Sequence, residues 1–158
     1  GRKIAAYYGC LLLRPSRVMA FDDPENPTVI EDFLAAIGAA PVRYSLRNEC
    51  CGGYIALEDK AAAQKRSSAI LASAKAAGAE TVVTACPLCM YNLDANGGAE
   101  HVPVRYFTEL LAEALGVREQ EGSSHVEFHS NRGHSAHQRC ESPQVHAVRQ
   151  VLRHLSQL

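Results

Sequence analysis

At 158 residues and a formal net charge of −1, the chain can bury the core of one domain and has no electrostatic bias toward nucleic acid or an anionic membrane. Its longest apolar run, residues 4–13 between Lys3 and Arg14, is too short to cross a bilayer and lacks the cleavage site of a signal peptide. Without an export signal its thiols are expected to stay reduced in the cytoplasm, which ranks metal binding or redox chemistry above a disulfide framework.

The chain opens almost directly on an apolar segment, as a piece of a longer polypeptide would. Lys3 to Tyr8 reads as a buried strand ending in Gly9-Cys10. Residues 11–26 show no clear period, and Asp22-Asp23-Pro24-Glu25-Asn26-Pro27 is loop. Thr28 and Glu31 form a capping box that opens a helix through Ile30, Phe33, Leu34 and Ile37, with Gly38 as its stop. A second strand, Pro41 to Leu46, delivers the chain to Cys50-Cys51-Gly52-Gly53. An alanine-rich helix over about 58–77 follows, with Ala63, Ile70, Ala74 and Ala77 on its apolar stripe and Gly78 ending it. Glu80 to Ala85 is a third strand with Cys86 at its carboxyl end. A short helix begins at Pro87 and breaks at Asn96-Gly97-Gly98. Val102 to Tyr106 is a fourth strand, and Thr108 to Leu115 a helix closed by Gly116. The fold class is therefore α/β: a layered domain over residues 1–116, with a short, mostly parallel four-stranded sheet flanked by helices. Residues 117–158 form an irregular, histidine-rich tail read as loop or disorder, in which 144–158 have the period of a terminal helix.

Five cysteines lie just after strand ends: Cys10, Cys50, Cys51, Cys86 and Cys89. In parallel α/β sheets that is the edge where ligands bind. Residues 11–49 separate the first from the pair, and residues 52–85 separate the pair from Cys86-Pro87-Leu88-Cys89. Cys86 falls at a helix N-cap with proline in the first helical position, where exposed N–H groups favour a thiolate. Cys89 lies in the same first turn. Adjacent cysteines on an extended strand point opposite ways, so a bend is needed if both are to face one site, and Gly52-Gly53 lets the backbone adopt the positive φ that curls it around a ligand.

The Cys-x-x-Cys unit alone fits a thioredoxin-like dithiol, although that motif needs no vicinal pair elsewhere. Zinc and cubane iron–sulfur clusters usually take four thiolates, one fewer than are present here. Cys10 as an inert core thiol and Cys50-Cys51 as a strained vicinal disulfide are the plainer alternatives.

The order Cys, Cys-Cys-Gly, Cys-x-x-Cys resembles the cysteine-rich CCG domain. Tyr8-Gly9-Cys10-Leu11-Leu12-Leu13-Arg14-Pro15, Phe21 to Pro27 and Ala85 to Cys89 are similar to the carboxyl-terminal CCG domain of the B-type subunit of heterodisulfide reductase, over roughly residues 3–116. The resemblance implies a non-cubane [4Fe–4S] cluster held by Cys10, Cys50, Cys51, Cys86 and Cys89, which air-exposed protein can lose or exchange for zinc. It implies reduction of a small-molecule disulfide to two thiols at the cluster, with no separate catalytic side chain assigned. In the family two such domains share the substrate. The implied partners are a second CCG domain and the ferredoxin-like and flavin-containing subunits of a cytoplasmic complex of anaerobic metabolism, with no nucleic acid and no membrane span. Only one CCG copy is present here. The alternatives are an electron-relay module in an oxidoreductase of glycolate, lactate or succinate, and a structural zinc domain.

Arg14 and Arg17 stand near Cys10 and would suit an anionic substrate, although a solvated surface role explains them as well. Met90 and Tyr91 are placed to shield the site, although core packing suffices to explain them, and Asp22-Asp23 reads as a turn rather than a metal site. In the tail, His134, His137 and Cys140 have the spacing of metal ligands, but the tail's histidine content accounts for the match.

Overall fold

The computed structural model describes residues 1–98 and 102–117. The tail expectations (the terminal helix and the His134, His137, Cys140 string) lie outside the described residues. The strands are β1 (Lys3–Tyr7), β2 (Ala40–Val42), β3 (Thr81–Thr84) and β4 (Val104–Tyr106). The helices are α1 (Ser16–Met19), α2 (Val29–Ala36), α3 (Lys60–Ala76), α4 (Pro87–Asn96) and α5 (Phe107–Ala114), with a 3-10 turn at Ile55–Leu57.

The sheet order is β2-β1-β3-β4 and every pairing is parallel, with Ala5 opposite Val42 and Val82, and Val83 opposite Arg105. Alternation along β1 splits the core in two, because successive side chains leave opposite faces of a strand. Ala5 and Tyr7 join Ile70, Leu71, Ala74 and Leu93 beneath α3 and α4. Ile4, Ala6 and Tyr8 join Ile30, Leu34 and Leu110 beneath α2 and α5. A parallel sheet covered on both faces results, the arrangement expected when helical crossovers join its strands. The strands β1, β2 and β3 follow one another in sequence, yet β1 lies between the other two in space. The chain thus reverses its direction of winding at β1/β3, and a crevice opens at the carboxyl ends of these strands.

Three expectations are corrected. The Thr28 side chain makes no capping bond. Asp22 caps α2 instead, its Oδ2 accepting from the N–H groups of Thr28 at 2.7 Å and Val29 at 2.9 Å. Glu31 turns inward: its carboxylate is 3% exposed, accepts a short hydrogen bond from the Tyr8 hydroxyl and faces Arg47 Nε at 3.3 Å. Second, β2 stops at Val42 rather than running to Leu46, because the chain turns there so that Tyr44 enters the core and the Arg47 carbonyl accepts from the Tyr8 N–H. Third, the buried stripe of α3 is Ala63, Ser67, Ile70, Leu71 and Ala74, while Ala77 is its exposed C-cap.

Candidate functional site

The β1/β3 crevice holds the cysteines. Cys10 follows β1 across Gly9, whose φ is +67°, and its carbonyl accepts from the N–H groups of Leu13 and Arg14 as the chain turns. A Cβ on Gly9 would stand 3.1 Å from the Cys89 sulfur and at a strained φ, so glycine lets the chain pass that close without pressing on the thiol. Cys50 and Cys51 arrive on the loop after β2. This loop is pinned by the Tyr7 hydroxyl, which donates to the Glu49 carbonyl at 2.7 Å. Gly52 has φ +82°, as the need to turn both cysteines to one side requires. Cys86 is the N-cap of α4, its sulfur accepting from the Cys89 N–H at 3.4 Å, with Pro87 in the first turn. All five sulfur-bearing residues line one open cleft, together with Leu11, Leu12, Tyr54 and Leu88, around about 340 Å³ of space free of protein atoms, solvent included.

None of the five forms a disulfide; Cys51 and Cys89 are buried, and the other three are half-buried. The Cys51 and Cys89 sulfurs stand 3.6 Å apart and share a hydrogen bond. That bond pulls the Cys51 thiol down to about 6 against the effect of burial, helped by the Gly53 N–H and the Asn92 amide. The same bond, then burial, pushes Cys89 up. Cys10 is raised by burial first and then by its hydrogen bond with Cys50. Backbone donors face these sulfurs, the Gly52 N–H reaching Cys50 Sγ at 3.4 Å.

Arg14 is turned to structural use. It donates to the carbonyls of Asn48 at 3.1 Å and Pro24 at 3.3 Å and pairs with Glu25 at 3.0 Å, which ties the loop after β1 to that after β2. Arg17 lies exposed on α1. Met90 packs against the core, whereas Tyr91 is 71% exposed and shields nothing. Asp22 and Asp23 cap turns through backbone N–H groups, as a loop reading requires.

Sequence reasoning missed three buried side chains that brace the site. Tyr7 lies against Cys51 and Cys89, and its hydroxyl is pushed up by burial first and then by those sulfurs. Asn92 is 1% exposed and donates to the Cys51 carbonyl at 2.7 Å, while Ser67 donates to the same carbonyl at 3.2 Å. The signal was present in the spacing: Asn92 lies three residues beyond Cys89 on α4, and Ser67 interrupts an otherwise apolar stripe of α3.

A doubly covered parallel sheet whose carboxyl edge gathers thiols from three loops defines a cysteine-rich α/β domain. Residues 4–94 match the family described as CCG, cysteine-rich domain, and the chain belongs to that family. The chain is 36% identical over 127 residues to the 8-methylmenaquinol:fumarate reductase membrane anchor subunit of Wolinella succinogenes, covering 75% of this chain and 45% of that protein. It is 30% identical over 142 residues to the B-type subunit of the ferredoxin/F(420)H(2)-dependent CoB-CoM heterodisulfide reductase of Methanosarcina acetivorans. It is likewise 30% identical over 147 residues to the B-type subunit of the ferredoxin:CoB-CoM heterodisulfide reductase of Methanosarcina mazei. Each of those two matches covers 80% of this chain and 47% of the relative, so the chain spans about half the length of the curated relatives it matches. Among the described residues no helix is long and apolar enough to cross a membrane.

Proposed function

We propose that this chain is a cluster-binding half of a heterodisulfide reductase-like oxidoreductase. In this reading Cys10, Cys50, Cys51, Cys86 and Cys89 hold a non-cubane [4Fe–4S] cluster in a domain spanning residues 1–116. The carrying observation is that all five line one cleft without a disulfide among them. The donor set fits such a group. Two sulfurs sharing a tetrahedral metal at about 2.3 Å stand about 3.8 Å apart, close to the Cys51–Cys89 separation of 3.6 Å.

When bound, the cluster would supply one of the two electrons that convert a disulfide to two thiols, the second coming from the cluster of a paired CCG domain and the two protons from solvent. The chain's own groups prepare the site. The N–H groups of Gly52 and Cys89 face the Cys50 and Cys86 sulfurs and offset negative charge. Leu11, Tyr54 and Leu88 give the mouth an apolar rim that limits water. All three rim side chains are exposed, Leu11 at 56% and Tyr54 at 67%, which suits closure by a second CCG domain. Electrons would reach this pair from ferredoxin-like and flavin-containing subunits of a cytoplasmic assembly. The likeness to a menaquinol:fumarate reductase subunit makes the disulfide substrate the element that needs its own assay.

Two measurements test the proposal. Anaerobic reconstitution should yield about four irons and four sulfides per chain with an EPR signal distinct from a cubane's, and replacing any one of the five cysteines by serine should diminish it. Stoichiometric zinc in place of iron, or iron binding indifferent to Cys10 and Cys50, overturns the cluster assignment. Viologen-dependent reduction of disulfides, assayed with and without a partner domain, then tests the reaction.

A further inference from the structure

We infer that Asn92 is a positioning residue: by holding the Cys51 carbonyl it aims the Cys51–Gly52 peptide N–H at the Cys50 sulfur and so sets the reduction potential of the group bound there. The inference rests on the cluster reading above and deepens it.

The orientation of Asn92 is fixed by its partners. Its Oδ1 accepts from the Asn96 side chain at 2.7 Å, which leaves Nδ2 facing the other way. Nδ2 then donates to the Cys51 carbonyl at 2.7 Å and to Ser67 Oγ at 3.1 Å, and the same amide also favours the Cys51 thiolate. All three side chains are buried: Ser67 at 0%, Asn92 at 1% and Asn96 at 7% exposed. In the interior a polar network of this kind survives only when its members are satisfied, and then it is rigid. Ser67 braces it from α3 while Asn92 and Asn96 come from α4, so the network joins both helices to the cysteine loop.

A trans peptide points its C=O and N–H in opposite directions. Holding the Cys51 carbonyl against α4 therefore turns the Gly52 N–H away from the helices, and it meets Cys50 Sγ at 3.4 Å. Gly52 can accept this plane because it sits at φ +82°. Hydrogen bonds to ligating sulfurs raise the potential of iron–sulfur centres, since they favour the more negative, reduced state. Without Asn92 the peptide is held only by the longer Ser67 bond at 3.2 Å, the N–H···S bond weakens, and the centre becomes harder to reduce.

The test compares the full chain as wild type, Asn92→Leu and Ser67→Ala, each reconstituted anaerobically with iron and sulfide. EPR-monitored titration should show the Asn92→Leu potential falling by a tenfold shift in the redox equilibrium, about 59 mV for one electron. Ser67→Ala keeps Asn92 on the carbonyl and should shift less, in the same direction. A full complement of iron with an unchanged potential in Asn92→Leu overturns the inference; loss of iron from a variant whose circular dichroism is intact supports it. If Asn92→Leu does not fold, Ser67→Ala carries the test, and an unchanged potential there overturns it. If the wild type takes up no iron, the cluster reading fails instead, and positioning is read on the apo chain. Amide exchange across residues 49–57 should then quicken about tenfold in Asn92→Leu while β1 and β3 hold, and unaltered exchange overturns it.

Discussion

Replacing Glu31 by alanine separates two physical roles for one carboxylate. As a capping-box residue at the start of α2, Glu31 would contribute about 1 kcal/mol, and its loss would be mild. The structure gives it heavier duty. Its carboxylate is 3% exposed, accepts from the Tyr8 hydroxyl, and faces Arg47 Nε at 3.3 Å, with Arg47 itself only 12% exposed. Removing one partner of a buried pair costs about 3–5 kcal/mol, because the other charge is left uncompensated. Arg47 would not be wholly orphaned: it keeps Asn26 Oδ1 at 2.7 Å and the Tyr44 carbonyl at 3.3 Å. The lower end, about 3 kcal/mol, is therefore expected, which at roughly 4 °C per kcal/mol lowers Tm by about 12 °C. Urea and thermal unfolding of the reduced chain measure it. Glu31→Gln retains an acceptor for Tyr8 but no charge, and should fall between wild type and Glu31→Ala. A loss of about 1 kcal/mol or less in Glu31→Ala, the capping-box figure, would refute the buried-pair account.

Asp22→Ala should destabilise by about 1–2 kcal/mol because two N–H groups at the start of α2 lose their acceptor, whereas Thr28→Ala should cost under about 0.5 kcal/mol, both read by urea unfolding. Tyr7→Phe keeps the ring against Cys51 and Cys89 but frees the Glu49 carbonyl. Opening of the loop before Cys50 should become easier by about 1 kcal/mol, seen as roughly fivefold faster amide exchange over residues 48–53, with unchanged exchange counting against the pin. Gly9→Ala places a methyl 3.1 Å from Cys89 Sγ at φ +67°. It should cut iron retention after reconstitution severalfold while the far-ultraviolet circular dichroism stays near wild type; full retention would show that the approach of the chain to Cys89 is not needed.

The fold was largely legible because each element carried a local signal. Gly9, Gly38 and Gly78 all take positive φ where the sequence placed ends or turns, and Cys86-Pro87 opens α4 as the N-cap chemistry requires. The cleft was legible for Cys10, which follows β1, and for Cys86 and Cys89, which open α4, whereas Cys50 and Cys51 lie on a loop well past the end of β2 and reach it only through tertiary contacts. What sequence alone could not resolve was which polar residues face inward. Thr28 with Glu31 has the spacing of a capping box, yet Asp22, six residues before Thr28, reaches those N–H groups first and frees Glu31 for the core. Local spacing cannot show a competitor delivered by a loop. Asn92, Ser67 and Glu31 were hidden for a related reason: a buried polar side chain is identified by its tertiary partners, and those come from other elements.

Topology explains why a chain with thiols at such distant positions can gather them at all. The cysteine loops follow β1, β2 and β3, which are consecutive in sequence and neighbours in the sheet, while β4 at the far edge supplies none. Strands lie about 4.8 Å apart, so three adjacent strand ends bring their loops within about 10 Å before any loop bends. The remaining convergence falls to short-range devices already in place: Gly9 for close approach, Gly52 for the turn, Pro87 for the helix start, and Tyr7 and Asn92 to fix the loop between them. Had β3 been placed beside β2 instead of β1, Cys86 and Cys89 would lie one strand farther from Cys10, and the Gly9 backbone could not pass against the Cys89 sulfur. The site is thus a property of strand order first and of its cysteines second.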